Sequence, residues 1–306
     1  MPEWFNDILD YELQSAPPEV LRLLPAEQVR ENLSAGISRA VEMMLDIESL
    51  ARYQQVCPFE GATTNDYGNK LIELDGSRKF IAEINFEGLN ITKPFVDIEY
   101  SNFDVLQSID EVADAATSSY RIFSPARISF VGVPGLAAYQ SDLTVYAALL
   151  GDLKALPAPP NFERVTLHPE FDLAIYPEYS AIYSRIRERT PDHPSSQESE
   201  RSLERVIKDG ALFSIIVDGE WAGVFGVRKE RQRFLNGYCV IEEVLKEEYR
   251  GQRLGAALQR RAIDAIDAPP ETVFFGQIDA KNPASYRTAM TCGRRAVYSS
   301  YWYQLP

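Results

Sequence analysis

Apolar residues recur at three- and four-residue spacings over residues 25–53, where Val29, Leu33, Ile37, Ala40, Val41 and Met44 share one helical face. The period then changes to two. Phe80, Ala82 and Ile84 alternate with polar residues over 79–86, and 94–100 and 127–133 also read as strands. Helical spacing returns over 105–120 and 137–153. Three prolines, Pro157, Pro159 and Pro160, then interrupt the chain and mark a connector, because proline cannot continue a helix and favours extended backbone. Two domains are expected: 1–160, an α+β domain, and 161–306.

The second part reads as a strand over 164–167, helices over 176–189 and 197–208, and an apolar strand over 211–217. Asp218-Gly219 suits a hairpin turn that needs positive φ. A return strand over 221–228 leads to a basic connection, 228–233, and a second turn is expected at Asn236-Gly237. A strand over 238–245 follows, then a helix carrying Leu254, Leu258, Ala262 and Ile266 on one face. Strand 272–278, helix 283–291 and strand 297–303 complete the order β-α-α-β-β-β-α-β-α-β.

Composition narrows the chemistry. Of 306 residues, 45% are hydrophobic and 25% charged, an ordinary globular balance that excludes a disordered or disulfide-framework chain. His168 and His193 form no pair at metal-ligand spacing, so no metal is expected. Cys57, Cys239 and Cys292 lie far apart and read as reduced thiols in a core. Acidic residues in the first ten positions and the lack of an apolar run of ~20 residues point to a cytoplasmic location and no membrane partner. Residues 1–161 hold 11 Lys+Arg against 24 Asp+Glu, whereas 162–306 hold 20 against 21. That surplus repels phosphate backbones, which argues against a nucleic-acid partner and favours a cationic one. The oligomeric state is not legible.

Between strand 238–245 and the following helix stands Tyr249-Arg250-Gly251-Gln252-Arg253-Leu254-Gly255-Ala256. Small residues before a helix N-terminus let amide N–H groups meet an anion, and the helix dipole reinforces them. The spacing is neither G-x-x-x-x-G-K-[ST] nor G-x-G-x-x-G. It resembles the [RQ]-x-x-G-x-[GA] loop of the GNAT superfamily of acyl-CoA-dependent N-acyltransferases. Asn282-Pro-Ala-Ser-Tyr286-Arg-Thr-Ala-Met-Thr-Cys-Gly293 is similar to that superfamily's later helix, which opens on asparagine and closes before glycine.

The resemblance covers 162–306 and implies a GNAT-like mixed twisted sheet flanked by helices. It implies acetyl-CoA, or another acyl-CoA, as co-substrate, with Val244, Leu245, Arg250, Gly251, Gln252, Arg253, Leu254, Gly255, Ala256 and Asn282 around it. The implied activity is direct transfer of an acyl group to a primary amine of a small molecule or peptide. The alternative is a catalytically silent acyl-CoA sensor or scaffold. Two departures keep it in play. Arg253 stands at the loop's usual first glycine and requires negative φ if it is to be accommodated, and Ala289 replaces the tyrosine that protonates the leaving thiolate. Glu242 and Glu243 are then the candidate bases; they point to opposite faces unless a bulge intervenes, and Glu242, in register with acidic residues that the family uses through a water, is the one the resemblance implies. Tyr286 and Tyr238 are the candidate acids. Arg260 and Arg261 are placed either on the cofactor's 3'-phosphate or on the wet face of their helix. The rings of Tyr298, Tyr301, Trp302 and Tyr303 either pack or line an acceptor pocket, with packing favoured. The first part resembles a degenerate GNAT-like repeat only weakly. It lacks the loop and is expected to cover the acceptor site.

Overall fold

The computed structural model describes residues 3–189 and 197–305; His193 lies outside the described residues. In chain order the elements are α1 (Glu3–Gln14), α2 (Pro18–Leu23), α3 (Ala26–Met43), α4 (Ile47–Val56), β1 (Lys70–Glu73), β2 (Lys79–Phe86), β3 (Pro94–Ser101), α5 (Ile109–Ser119), β4 (Arg127–Gly132), β5 (Gln140–Leu149) and α6 (Leu150–Ala155). They continue as β6 (Val165–Glu170), α7 (Tyr176–Arg189), α8 (Glu200–Asp209), β7 (Gly210–Val217), β8 (Glu220–Gln232), β9 (Leu235–Leu245), α9 (Gly255–Ala265), β10 (Val273–Asp279), α10 (Pro283–Thr291) and β11 (Arg295–Gln304). From β6 onward the expected order of helices and strands is observed.

Two compact units result. One is Met1–Leu143 with Gln232–Phe234 and Tyr298–Pro306; the other is Thr144–Arg231 with Leu235–Val297. The division therefore does not fall at residue 160. Leu150 and Leu153 of α6 are buried in one cluster with Leu258, Ile263 and Phe274, which places the proline connector inside the second unit. Burying these side chains outweighs the local stop signal of the prolines.

In the first unit β1 and β2 are antiparallel, as are β2 and β3, while β3 and β4 are parallel with α5 as the crossover. Phe80, Ala82, Ile84, Val96, Ile98 and Phe130 pack with Val112, Ala113 and Ala116 of α5. The helix expected over 25–53 is two helices, because the Asp46 carboxylate accepts the Ser49 N–H (3.1 Å) and caps α4. Ser299–Gln304 pair antiparallel with β4. The Tyr301 ring lies 5.9 Å from Phe130, Trp302 is edge-on to Phe95 at 4.8 Å and Tyr298 edge-on to Phe234 at 5.3 Å. The terminal aromatics are thus packed within this unit.

Beyond the paired segment of β3 and β4 lies a cavity of about 250 Å³ lined by Tyr11, Tyr100, Gly132 and Arg233. Arg233 donates to Glu12 (Nη2···Oε2, 2.7 Å) and lies 5.0 Å over the Tyr100 ring. The turn before α5 carries Asp104, whose carboxylate accepts the Leu106 N–H (3.0 Å). A carboxylate at this turn disfavours a diphosphate there.

The second unit orders its strands β5-β10-β9-β8-β7-β6. β6/β7 and β7/β8 are antiparallel, and β9/β10 are parallel with α9 as crossover. Three expectations change. Residues 137–153 are not one helix: Val145, Tyr146, Ala147 and Ala148 are consecutively buried, as a strand covered on both faces requires. Residues 228–232 belong to β8, not to a loop. The turn falls at Arg233 (φ +38°), and Asn236-Gly237 lie within β9. Asp218 (φ +52°) and Gly219 (φ +92°) do form the expected turn.

Gly237 serves close approach. A Cβ there would lie 2.1 Å from the Val273 carbonyl oxygen of β10. Gly237→Ala is expected to destabilise the chain by more than about 2 kcal/mol in denaturant unfolding, because backbone must move to admit the methyl group.

Candidate functional site

The site is built around β9 and β10. Their register joins Gly237–Cys239 to Val273–Phe275, after which β9 continues to Leu245 and β10 to Asp279. Val240 and Leu245 pack toward α9, whereas Ile241 and Val244 pack with α7 and α8. Glu242 also faces α7. Two neighbouring residues on one face mean a bulge at Ile241-Glu242, and it fixes which way each following glutamate points.

Glu242, 4% exposed, accepts hydrogen bonds from Tyr179 (2.5 Å) and Tyr183 (2.9 Å) of α7. Burial pushes its carboxyl up to about 7, with the two hydroxyls pulling the other way. Such a group exchanges its proton near neutrality. The two tyrosines, four residues apart on one helical face, were missed in the sequence; their i, i+4 spacing was the available signal. Glu243 faces the other side. Its Oε2 accepts from Gln259 of α9 (2.5 Å), and burial raises its carboxyl as well.

The loop ahead of α9 is held by its own side chains. Arg250 Nε donates to the Leu245 carbonyl (2.8 Å), Gln252 Nε2 to the Glu248 carbonyl (2.7 Å), and Asn161 to the Gln252 carbonyl (3.1 Å). Gly251 has φ +74° and open space beside it. Arg253 has φ +59°, contrary to the negative φ required of it, so it occupies a glycine's conformation at a strain cost of about 1–2 kcal/mol. Among the described residues no side chain caps α9, whose first amides belong to Gly255 and Ala256. Leu254 is 2% exposed and lies in the core, so only its backbone is available to a ligand. Gly255 approaches α10 closely, with a Cβ falling 2.5 Å from Thr288 Oγ1.

Asn282 accepts the Ser285 N–H (3.1 Å) and caps α10. Tyr286 is 45% exposed and edge-on to Tyr146 of β5 at 5.8 Å, so core packing does not describe it. Ala289 is fully buried beside Tyr146 and Ile278. Glu242 and Tyr286 therefore stand on different elements, with no contact between them among the described hydrogen bonds. Tyr238 packs beside the α9 cluster with Lys229 5.7 Å over its ring. Arg260 and Arg261 are engaged elsewhere: the first donates to the Leu153, Lys154 and Leu156 carbonyls, and the second to those of Phe162 and Val165. Neither is free for a phosphate. All three cysteines are free and buried, and burial raises the thiols of Cys239 and Cys292.

Arg294, also missed, is 2% exposed at the entry to β11. Its Nη2 donates to Gln259 Oε1 (3.0 Å), while Nε and Nη1 have no acceptor. The available signal was an arginine between the capping Gly293 and a buried strand.

No protein-family model matches the chain, and no curated protein does. Many of the solved structures it resembles are GNAT acetyltransferases, the family the loop and helix motifs resemble. A GCN5-related N-acetyltransferase from Sphaerobacter thermophilus is 12% identical with TM-score 0.47, over 84% of this chain and 85% of that one. One from Kribbella flavida is 12% identical with TM-score 0.46, over 86% and 96%. A tandem GNAT protein from the clavulanic acid biosynthesis pathway is 13% identical with TM-score 0.47, over 85% and 96%. Among the described residues no helix is long and apolar enough to cross a membrane, and no cluster of metal-ligating side chains is found.

Relief of the strain at Arg253 is measurable: Arg253→Gly is expected to alter stability by no more than about 1 kcal/mol, the strain removed being offset by the freedom glycine adds to the unfolded chain, where an ordinary loop Arg→Gly change would only destabilise. Glu242 gives a second expectation. Its folded-state value of about 7 lies above the usual 4.5, so the folded chain holds more protons between those values and loses stability as pH rises through them. Glu242→Gln should remove that slope, a difference of roughly 3 kcal/mol between the two ends, read by unfolding at several pH values.

Proposed function

We propose that the chain is an acyl-CoA-dependent N-acyltransferase that transfers an acyl group directly to a primary amine. One arrangement supports the reading: parallel strands that stop pairing beyond Cys239 and Phe275, with an uncapped helix N-terminus on the α9 face and a near-neutral carboxylate on the α7 face. The residues present fit an acyl-CoA. The amides of Gly255 and Ala256 with the Arg250–Arg253 loop would hold its diphosphate, and the β9 backbone at Val244 and Leu245 its pantetheine arm. When bound, the thioester supplies an activated acyl carbon.

The two faces divide the work. An amine entering from the α7 face meets Glu242, which takes the proton the nitrogen gives up as the C–N bond forms and the C–S bond breaks. Tyr179 and Tyr183 hold that carboxylate in place. The departing thiolate takes a proton from Tyr286 or from water, since Ala289 supplies none. The acceptor we favour is a cationic small molecule or peptide, on the strength of the acidic surplus in residues 1–161. The silent-sensor alternative has in its favour only Arg253 and Ala289.

Calorimetry of the full chain with CoA and acetyl-CoA tests the cofactor site. Gly251→Asp adds a carboxylate in open space at the anion loop, so affinity is expected to fall at least about tenfold, while the positive φ of +74° costs the fold about 1 kcal/mol. An unchanged affinity places the site elsewhere. With an amine that is turned over, kcat/KM should rise through pH 7 as Glu242 loses its proton, and Glu242→Gln should abolish that limb. A wild-type profile in the variant removes Glu242 from the mechanism.

A further inference from the structure

Resting on the reading above, we propose that Arg294 receives a carboxylate at the far end of the acyl group, making this chain selective for acyl-CoA donors of the dicarboxylic class over acetyl or other uncharged acyl groups. An arginine keeps its charge in proteins, and taking a guanidinium out of water is costly unless an anion accompanies it. Arg294 is 2% exposed, and among the described residues no carboxylate forms an ion pair with it. Its hydrogen-bond partner is the neutral Gln259, and the Phe274 ring lies 5.6 Å from it. The Glu243 carboxylate attracts it electrostatically but is hydrogen-bonded to the Gln259 amide and gives Arg294 no hydrogen bond among the described residues. Two of its donor nitrogens, Nε and Nη1, are left without an acceptor. A buried donor in that state is a standing penalty that an acceptor group would remove.

Its position says which acceptor. A Cβ on Gly276 would fall 2.8 Å from Arg294 Nη1 and 3.4 Å from the Val240 Cβ. Gly276 and Val240 are the residues that follow the last registered pair of β10 and β9, so the guanidinium stands at the apex of the parting strands. It lies with Gln259 of α9, on the side of the anion loop and opposite the face on which Glu242 meets Tyr179. An acyl-CoA anchored at that loop and extended along β9 directs its acyl end toward this apex. The missing side chain of Gly276 leaves the arginine room beside the strand. A carboxylate carried by the amine would arrive on the other face, which is why the charge is assigned to the donor.

The test is a calorimetric panel on the full chain with CoA, acetyl-CoA, butyryl-CoA, malonyl-CoA and succinyl-CoA. Malonyl- or succinyl-CoA is expected to bind at least about tenfold more tightly than butyryl-CoA, the size of one charge-assisted hydrogen bond. Arg294→Met should erase that preference while leaving the affinity for CoA itself unchanged, and Arg294→Lys should retain part of it. Equal or weaker binding of the dicarboxylic donors by the wild type overturns the proposal, and that arm requires no variant to fold. A preference that survives in Arg294→Met overturns it too. Failure to bind CoA or any of its thioesters is a different result, which sinks the acyl-CoA reading and this inference with it.

Discussion

The parting of β9 from β10 is the constraint on which the rest of the second unit depends. Two parallel strands joined from Gly237 to Cys239 and then released leave main-chain groups at the centre of a sheet without a strand partner. Backbone donors and acceptors are rarely left unpaired, so such an opening is the least self-satisfied part of the sheet. Gly237 permits the tight contact before the opening, and Gly276, just after the last pair, admits the Arg294 guanidinium against the strand. The bulge at Ile241-Glu242 lies on the open segment and turns the following side chains. It makes the two sides of the opening chemically different.

That difference is electrostatic. On the α7 side a carboxylate is held by two phenolic hydroxyls and raised by burial to about 7. On the α9 side the helix N-terminus, the loop amides and Arg294 present positive charge. Low exposure raises the effect of each charge, and by the same physics makes an unaccompanied one expensive.

The first unit repeats the crossover of parallel strands but not the chemistry. Its β3 and β4 also pair briefly and then give way to a cavity, yet Asp104 stands at the turn before its helix and Arg233 with Glu12 lines the space.

Legible in the sequence were the features that depend on near neighbours. The loop from Arg250 to Ala256, the cap at Asn282, the turn at Asp218-Gly219 and the order of elements from β6 onward all follow from local conformational preference and short-period burial. Tertiary structure decided what depends on residues far apart in the chain. Residues 145–148 became a strand because they are covered on both faces, which no local period reveals. Gly237 proved to be a contact point rather than a turn because β10, 36 residues later, runs against it. Glu242 was set apart from Glu243 on paper only by the family resemblance, and the fold gave one to the tyrosines and the other to Gln259. Arg294 carried no motif at all. Its meaning lies in two buried donor nitrogens without an acceptor among the described residues, and burial, unlike spacing, is a property of the folded chain alone.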